Sequence, residues 1–174
     1  VTPVDDAPVN TVPLVPQNIA EDVLTAIPGI SVTDVDGNLA TTQLTVLNVS
    51  VNLNLGGGAT ISAGANNSLT LTLSGTEAQI NAALATVNYQ GNLNYNGGDT
   101  LTVLSDDSTG IPLTDSDDVT INVTPVDDAP VTTVPLVPQN IAEDVLTAIP
   151  GISVTDVDGN LATTQLTVLN GIVN

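Results

Sequence analysis

The chain of 174 residues carries nineteen Asp or Glu and no Lys, Arg or His, for a formal net charge of −19. Without a basic side chain it cannot neutralise phosphate, which argues against nucleic acid and anionic membranes as partners. Without His, Cys, Lys or Arg it also lacks the usual base, nucleophile partner and electrostatic clamp, so no enzyme is expected.

Residues 1 to 48 recur as residues 123 to 170 with a single change, Asn10 to Thr132, so the period is 122 residues. The reading is one complete repeat over 1–122 with a linker at 1–8, followed by the N-terminal part of a second over 123–174 with a linker at 123–130. No apolar run is long enough to span a membrane, and Val1 does not begin a signal peptide, which points to an internal fragment. A core must come from Val, Leu, Ile and Ala, because Phe, Trp, Met and Cys are absent and Tyr89 and Tyr95 are the only aromatics. A cysteine-free chain rich in Thr, Asn and Val suits a secreted protein at a cell surface, stabilised by packing and metal rather than disulfides.

In chain order, Val9 to Ile19 reads as an edge strand, since Pro13 and Pro16 remove ladder donors. Val23 to Val32 is a second strand ending at the turn TDVDGN. Thr41 to Leu55 alternates, with Leu44, Val46, Val49, Val51, Leu53 and Leu55 inward, and its parity changes after Val46, which predicts a bulge near Asn48. Gly56, Gly57 and Gly58 break that strand; Thr60 to Ser62 and Ser68 to Ser74 form the next pair, with Leu69, Leu71 and Leu73 on one face. Thr76 caps a short helix to Thr86, marked by Ile80, Leu84 and Val87 at helical spacing, that crosses one end of the sandwich. Val87 to Gln90, Thr100 to Leu104 and Val119 to Val123 supply the last strands. About seven strands with one connecting helix predict an all-β, immunoglobulin-like Greek-key sandwich in tandem repeats.

The acids cluster in predicted turns. Antiparallel strand order puts Asp5, Asp6, Asp34, Asp36, Asp106 and Asp107 at one end of the unit, and Glu21, Asp22 and Asp99 at the other. At the junction with the next unit, Glu21, Asp22 and Asp99 would meet Asp127 and Asp128 of the linker and Asp156 and Asp158 of the next turn. Two carboxylates about 4 Å apart repel by roughly 4 kcal/mol at an effective dielectric of 20. An oxygen-only ligand set without His or Cys points to Ca²⁺, with Mg²⁺ a poorer fit. Taken alone, Asp34, Asp36 and Gly37 describe a turn as well as a ligand set, and they are not an EF-hand loop, because Gly37 stands fourth and Thr45 twelfth. Whether Asp115, Asp117 and Asp118 join the upper cluster or solvate a loop stays open.

The linker VTPVDDAPV, AEDV at Ala20 to Val23, SVTDVDGN at Ser31 to Asn38 and the long segment Gly75 to Val103 resemble the bacterial cadherin-like and tandem-95 repeats of large surface proteins and adhesins. That resemblance implies an immunoglobulin-like or cadherin-like sandwich, calcium at interdomain linkers with Asp127, Asp128, Asp156, Asp158 and Glu21 as ligands, and a spacer that projects an adhesive module into a biofilm or extracellular setting. The function expected is an extracellular structural extender whose partners are neighbouring repeats. The alternative is a self-assembling fibre or sheath of identical chains bridged by the same ions. A sugar-binding or ice-binding module is disfavoured by the lack of aromatic platforms, and DSTG at Asp107 to Gly110 reads as a turn rather than a protease signature. The Asn-x-Ser/Thr triplets at Asn48, Asn66 and Asn122 are given no role.

Overall fold

Pro13 and Pro16 do more than mark an edge: around them the chain leaves one sheet for another. Val9–Thr11 (β1) pairs antiparallel with Ser31–Thr33, whereas Gln17–Ala20 (β2) lies parallel to Thr114–Thr124 in a different sheet. The single edge strand expected over 9–19 is therefore two short strands, because neither proline can donate to the ladder that would have to continue through it. The strand expected over 23–32 is likewise divided, into Thr25–Ala26 (β3) and Ser31–Thr33 (β4), with Pro28 and Gly29 (φ +87°) turning the chain between them.

The computed structural model describes residue 2, residues 4–107 and residues 111–173, and the chain divides into two units, Val1–Pro125 and Val126–Asn174. In the first unit the remaining elements are Leu39–Thr45 (β5), Val49–Asn52 (β6), Thr60–Gly64 (β7), Thr70–Ser74 (β8), the helix Glu77–Leu84 (α1), Asn88–Gly91 (β9), Gly97–Asp107 (β10) and Thr114–Thr124 (β11). A six-stranded sheet runs β2-β11-β10-β5-β8-β7, a three-stranded sheet runs β3-β9-β6, and β1 and β4 form a third, two-stranded piece. The result is an all-β, sandwich-like fold with one short helix. The eight strand segments expected from the sequence become eleven because three of them are cut where the chain changes sheets.

The cut at Asn48 is instructive. The parity change after Val46 is not a bulge within one ladder but the passage from β5 in the large sheet to β6 in the small one. Both sides of the break remain inward: Leu44, Val46, Val49, Val51 and Leu53 are buried, while Leu55 is only partly so. The core they enter also holds Leu71, Leu101, Val103 and Tyr89, each fully buried, and each such aliphatic side chain contributes about 1.5–3 kcal/mol relative to exposure. Leu69 departs from expectation. It lies just before β8, outside the ladder whose alternation buries Leu71 and Leu73, and its side chain is exposed.

The helix forms where its spacing predicts. Thr76 accepts from the Gln79 amide at its N-terminus, the Gln79 side chain accepts from the Thr76 amide (2.8 Å), and Ile80, Ala83 and Leu84 face the core. Asn81 points the other way and substitutes for a strand: its Oδ1 accepts from the Val32 amide and its Nδ2 donates to the Val32 carbonyl, both at 2.8 Å. The triple glycine serves this packing as well as the turn, since a Cβ at Gly57 would collide with the Ala82 Cβ on the helix.

In the second unit, Val131–Thr133 (β12) pairs antiparallel with Ser153–Thr155 (β13), Val131 opposite Thr155 and Thr133 opposite Ser153. This is the register of β1 with β4 displaced by one sequence period.

Candidate functional site

The ladders sort the acids of the first unit into two groups. β5 and β10 are antiparallel, with Asp107 opposite Leu39 and Asp106 opposite Thr41, so the end of β10 lies at the end of the unit that carries the Asp34–Asn38 turn. β10 starts from the far end, where Asp99 stands opposite Ile121, and β2 finishes there, the Glu21 amide donating to the Thr124 carbonyl (3.0 Å).

At the first end, Asp34 organises the turn. Its Oδ1 accepts from the amides of Asp36 (3.0 Å), Gly37 (2.9 Å) and Asn38 (3.4 Å), the pattern by which an Asp side chain shapes a tight loop. The linker is clasped to this loop twice: the Asp6 amide donates to Asp36 Oδ2 (2.7 Å), and Asn38 Nδ2 donates to Asp5 Oδ1 (2.8 Å). From the helix, Glu77 Oε2 accepts from the Asp34 amide (3.1 Å). Asp6, Asp34 and Glu77, with Val9, Thr33 and Val35, line a cleft of about 520 Å³. Asp34 is only 9% exposed, yet its Oδ2 is buried without a hydrogen-bond partner, as is Oδ1 of Asn38. A buried oxygen left without a donor is costly unless something else satisfies it.

Sequence reasoning missed Glu77 and Asn38. Glu77 reads as an ordinary first-turn acid of a helix, and only the packing of α1 beside β4 carries it to the loop. The acids are not gathered on one point, since among the described residues of the first unit no three carboxylates lie within 4.8 Å of one another. An ion seated here would complete its shell with amide and carbonyl oxygens and water, which Ca²⁺ accepts readily.

Asp106 and Asp107 reach the same end by different routes. Asp107 is fully buried; it exchanges hydrogen bonds with Leu113, its amide donating to the Leu113 carbonyl (3.2 Å) and its Oδ1 accepting from the Leu113 amide (3.1 Å), which closes the β10–β11 connection. Asp106 is partly exposed on β10. Residues 108–110 of the DSTG turn lie outside the described residues. Asp115, Asp117 and Asp118 belong to β11 rather than to a loop; Asp115 Oδ2 accepts from the Asn10 amide (2.7 Å) and Asp118 Oδ1 from the Thr102 hydroxyl (2.7 Å).

At the far end, Glu21 is almost wholly buried and accepts from Asn96 Nδ2 (3.2 Å), while Asp22, at φ 62°, accepts from the Asn94 amide (2.9 Å). Asp99 is buried among four donors: the amides of Leu47 (3.2 Å) and Thr100 (2.8 Å) on Oδ1, and the amide of Asn48 (3.3 Å) and the Tyr89 hydroxyl (3.1 Å) on Oδ2. This carboxylate staples the break between β5 and β6. Burial pushes the Tyr89 phenol well above its ordinary value, and the neighbouring Asp99 charge and hydrogen bond push it further.

The second unit repeats the clasp with its own residues. The Asp128 amide donates to Asp158 Oδ2 (2.6 Å), Asn160 Nδ2 donates to Asp127 Oδ1, and the Asp158 amide donates to Asp156 Oδ1 (3.0 Å).

Comparison with known proteins corrects the resemblance read from the motifs. Residues 26–115 match the model of the Protein GAMETE EXPRESSED 2 domain. No curated protein matches the chain. The matched span takes in two of the four motifs, SVTDVDGN and the long Gly75 to Val103 segment, on which the likeness to bacterial cadherin-like and tandem-95 repeats rested, and it removes that assignment together with the bacterial adhesin and biofilm setting drawn from it. As the match covers more than half of its residues, the chain belongs to the Protein GAMETE EXPRESSED 2 domain family.

Proposed function

We propose that the chain is a non-enzymatic, extracellular structural module: an immunoglobulin-like Greek-key sandwich, repeated in tandem, that acts as a spacer and takes calcium at its acidic end. The observation that carries this reading is the Asp34 carboxylate, whose Oδ1 is occupied by the turn while Oδ2 is buried without a donor beside Asp6 and Glu77. In a protein with no cationic side chain only a cation from solution can neutralise such a group. The ligands on this reading are Asp34, Asp36, Glu77, the linker pair Asp5 and Asp6, and the amide oxygen of Asn38. Asp127, Asp128, Asp156 and Asp158 take the corresponding roles in the second unit. Asp99, with both oxygens turned onto donors of its own unit, serves instead as a structural staple.

Because each clasp joins linker to loop, a bound ion would fix the angle at which the chain enters the sandwich, which is what a spacer requires. Calcium binding only the folded unit would add about 2.7 kcal/mol of stability at a hundredfold excess over its dissociation constant. Titration calorimetry of the 174-residue chain with Ca²⁺, beside Mg²⁺, tests this. Calcium should bind and raise the thermal midpoint more than magnesium does. Asp34→Asn, which keeps the turn-forming oxygen, should weaken binding roughly tenfold or more, the size of one lost contact of ~1.4 kcal/mol. Equal behaviour of the two ions, or of the variant and the parent, would reduce the acids to solvating charge.

A further inference from the structure

Three Asn-x-Ser/Thr triplets, none with Pro in the middle, stand at Asn48–Ser50, Asn66–Ser68 and Asn122–Thr124. In a secreted chain such a triplet is an acceptor for an N-linked glycan, which is bulky and hydrophilic and so needs a surface position. The fold treats the three amides differently.

Both polar atoms of Asn66 are engaged. Its Oδ1 accepts from the Leu53 amide (3.0 Å) and its Nδ2 donates to the Leu53 carbonyl (2.8 Å), the paired geometry that Asn81 uses on Val32. In such a ring of two hydrogen bonds the donating hydrogen lies on the same side of the amide as Oδ1. That is the hydrogen a sugar replaces, since an N-linked glycan, like a trans peptide, sets its C1 opposite Cβ. A glycan at Asn66 would therefore push out the chain at Leu53, whose side chain is buried in the core.

Asn48 is held as firmly. It is half-buried at the break between β5 and β6, where its Nδ2 donates to the Tyr95 hydroxyl (3.1 Å), its amide donates to Asp99 Oδ2 (3.3 Å) and its carbonyl accepts from Asn92 Nδ2 (2.6 Å). A sugar on this Nδ2 would compete with Tyr95 for its place.

Asn122 is the exception. It alternates in β11 with the buried Ile121 and Val123, so its side chain stands on the outer face of the six-stranded sheet. Across the ladder on one side is Gly98, where even an added Cβ would meet no atom within 4 Å. On the other side is Asn18 of β2, the last strand of that sheet. Asn122 Nδ2 donates to Asn18 Oδ1 (3.1 Å), but both residues are exposed, so water can take over this bond at little cost.

We propose that Asn122 is an N-glycosylation site, and that Asn48 and Asn66 carry no glycan in the folded protein. The donor is an oligosaccharide on a polyprenyl pyrophosphate, and the catalyst is a membrane-bound oligosaccharyltransferase. A bond forms between Asn122 Nδ2 and the sugar C1, and the bond from C1 to the pyrophosphate oxygen breaks. The pyrophosphate leaves with its electron pair, and the amide nitrogen gives up one proton to the enzyme's base. Transfer meets the chain before it folds, so the fold acts as a filter: a glycan at Asn122 is carried into this structure, whereas one at Asn66 or Asn48 opposes it. This assignment rests on the extracellular reading above and is independent of calcium.

The full 174-residue chain, sent into the secretory pathway of a eukaryotic cell line behind a cleavable signal, tests it by glycopeptide mass spectrometry of medium and cell lysate. Asn122 should be occupied in most secreted molecules, and Asn48 and Asn66 should be bare in the medium. Asn122→Gln and Thr124→Ala should each abolish the glycan without blocking secretion, whereas Asn66→Gln should leave it in place. A bare Asn122 in the secreted chain, or a glycan on Asn48 or Asn66 there, would overturn the proposal and leave the spacer reading intact. Retention of the chain in the cell would count against the extracellular reading instead, and the lysate would still decide the site: an occupied Asn122 supports it and a bare one overturns it.

Discussion

Asp99 and Tyr89 show how a chain without cations handles a buried carboxylate. Four donors stand in for the missing counter-charge, which keeps the ion tolerable in the interior and fixes the point where β5 gives way to β6. The arrangement has a pH signature. The folded Tyr89 phenol titrates above the unfolded one. The unfolded chain therefore loses its proton first, near pH 10, and the stability tied to Tyr89 is intact below that pH and falls as pH rises above it. Urea unfolding between pH 7 and pH 11 should show this alkaline loss. Tyr89→Phe should lower stability by about 2 kcal/mol at pH 7, as expected for a hydrogen bond to a charged acceptor, and should flatten the decline above pH 10. A parent protein as stable at pH 11 as at pH 9 would contradict the assignment.

At the scale of elements, α1 was legible and the strand boundaries were not, for a physical reason. The Ile80, Leu84 and Val87 spacing and the Thr76 cap are local signals, and the helix forms where they put it. The break at Asn48 is decided by a carboxylate some fifty residues away, and the division of the first two expected strands depends on which sheet each half can join. Period-two alternation reports which residues point inward but not which sheet they enter, so Leu44 to Leu53 were read correctly as inward while their ladder was not. Leu69 failed because alternation holds only inside a ladder. The candidate site was legible in its acids and in their sorting to opposite ends, but Glu77, carried in by the helix, was not. Asn81 is the element-scale test. Its side chain replaces a neighbouring strand for β4, so Asn81→Ala leaves a buried amide and carbonyl of Val32 without partners and should cost about 3 kcal/mol. Thr76→Ala, which removes only the helix cap, should cost about 1 kcal/mol. Denaturant midpoints of the two variants check the order: if Asn81→Ala is the milder, the side chain is not holding the strand.

For the molecule as a whole, nineteen acids without one basic side chain mean that every long-range electrostatic term between side chains is repulsive. A protein of mixed charge gains attraction as well as repulsion at low salt, and screening removes both. Here screening removes repulsion alone, so monovalent salt should stabilise the fold steadily as the Debye length shrinks from about 30 Å at 0.01 M to about 10 Å at 0.1 M. Calcium differs from this background in being local. A site built on Asp34, Glu77 and the linker clasp should respond to millimolar Ca²⁺ when about 0.15 M NaCl already screens the distant charges, whereas diffuse condensation on an acidic surface should be lost under those conditions. Thermal unfolding should therefore give two separable curves: a gradual rise of the midpoint with NaCl, and a saturable further rise with Ca²⁺ that chelator reverses and that Asp34→Asn moves to higher Ca²⁺ concentration for the first unit. If the calcium increment vanishes in 0.15 M NaCl, the acids act together as a charged surface and the orphaned Asp34 oxygen is satisfied by water, which would leave the sandwich a spacer held together by its core and its buried hydrogen bonds alone.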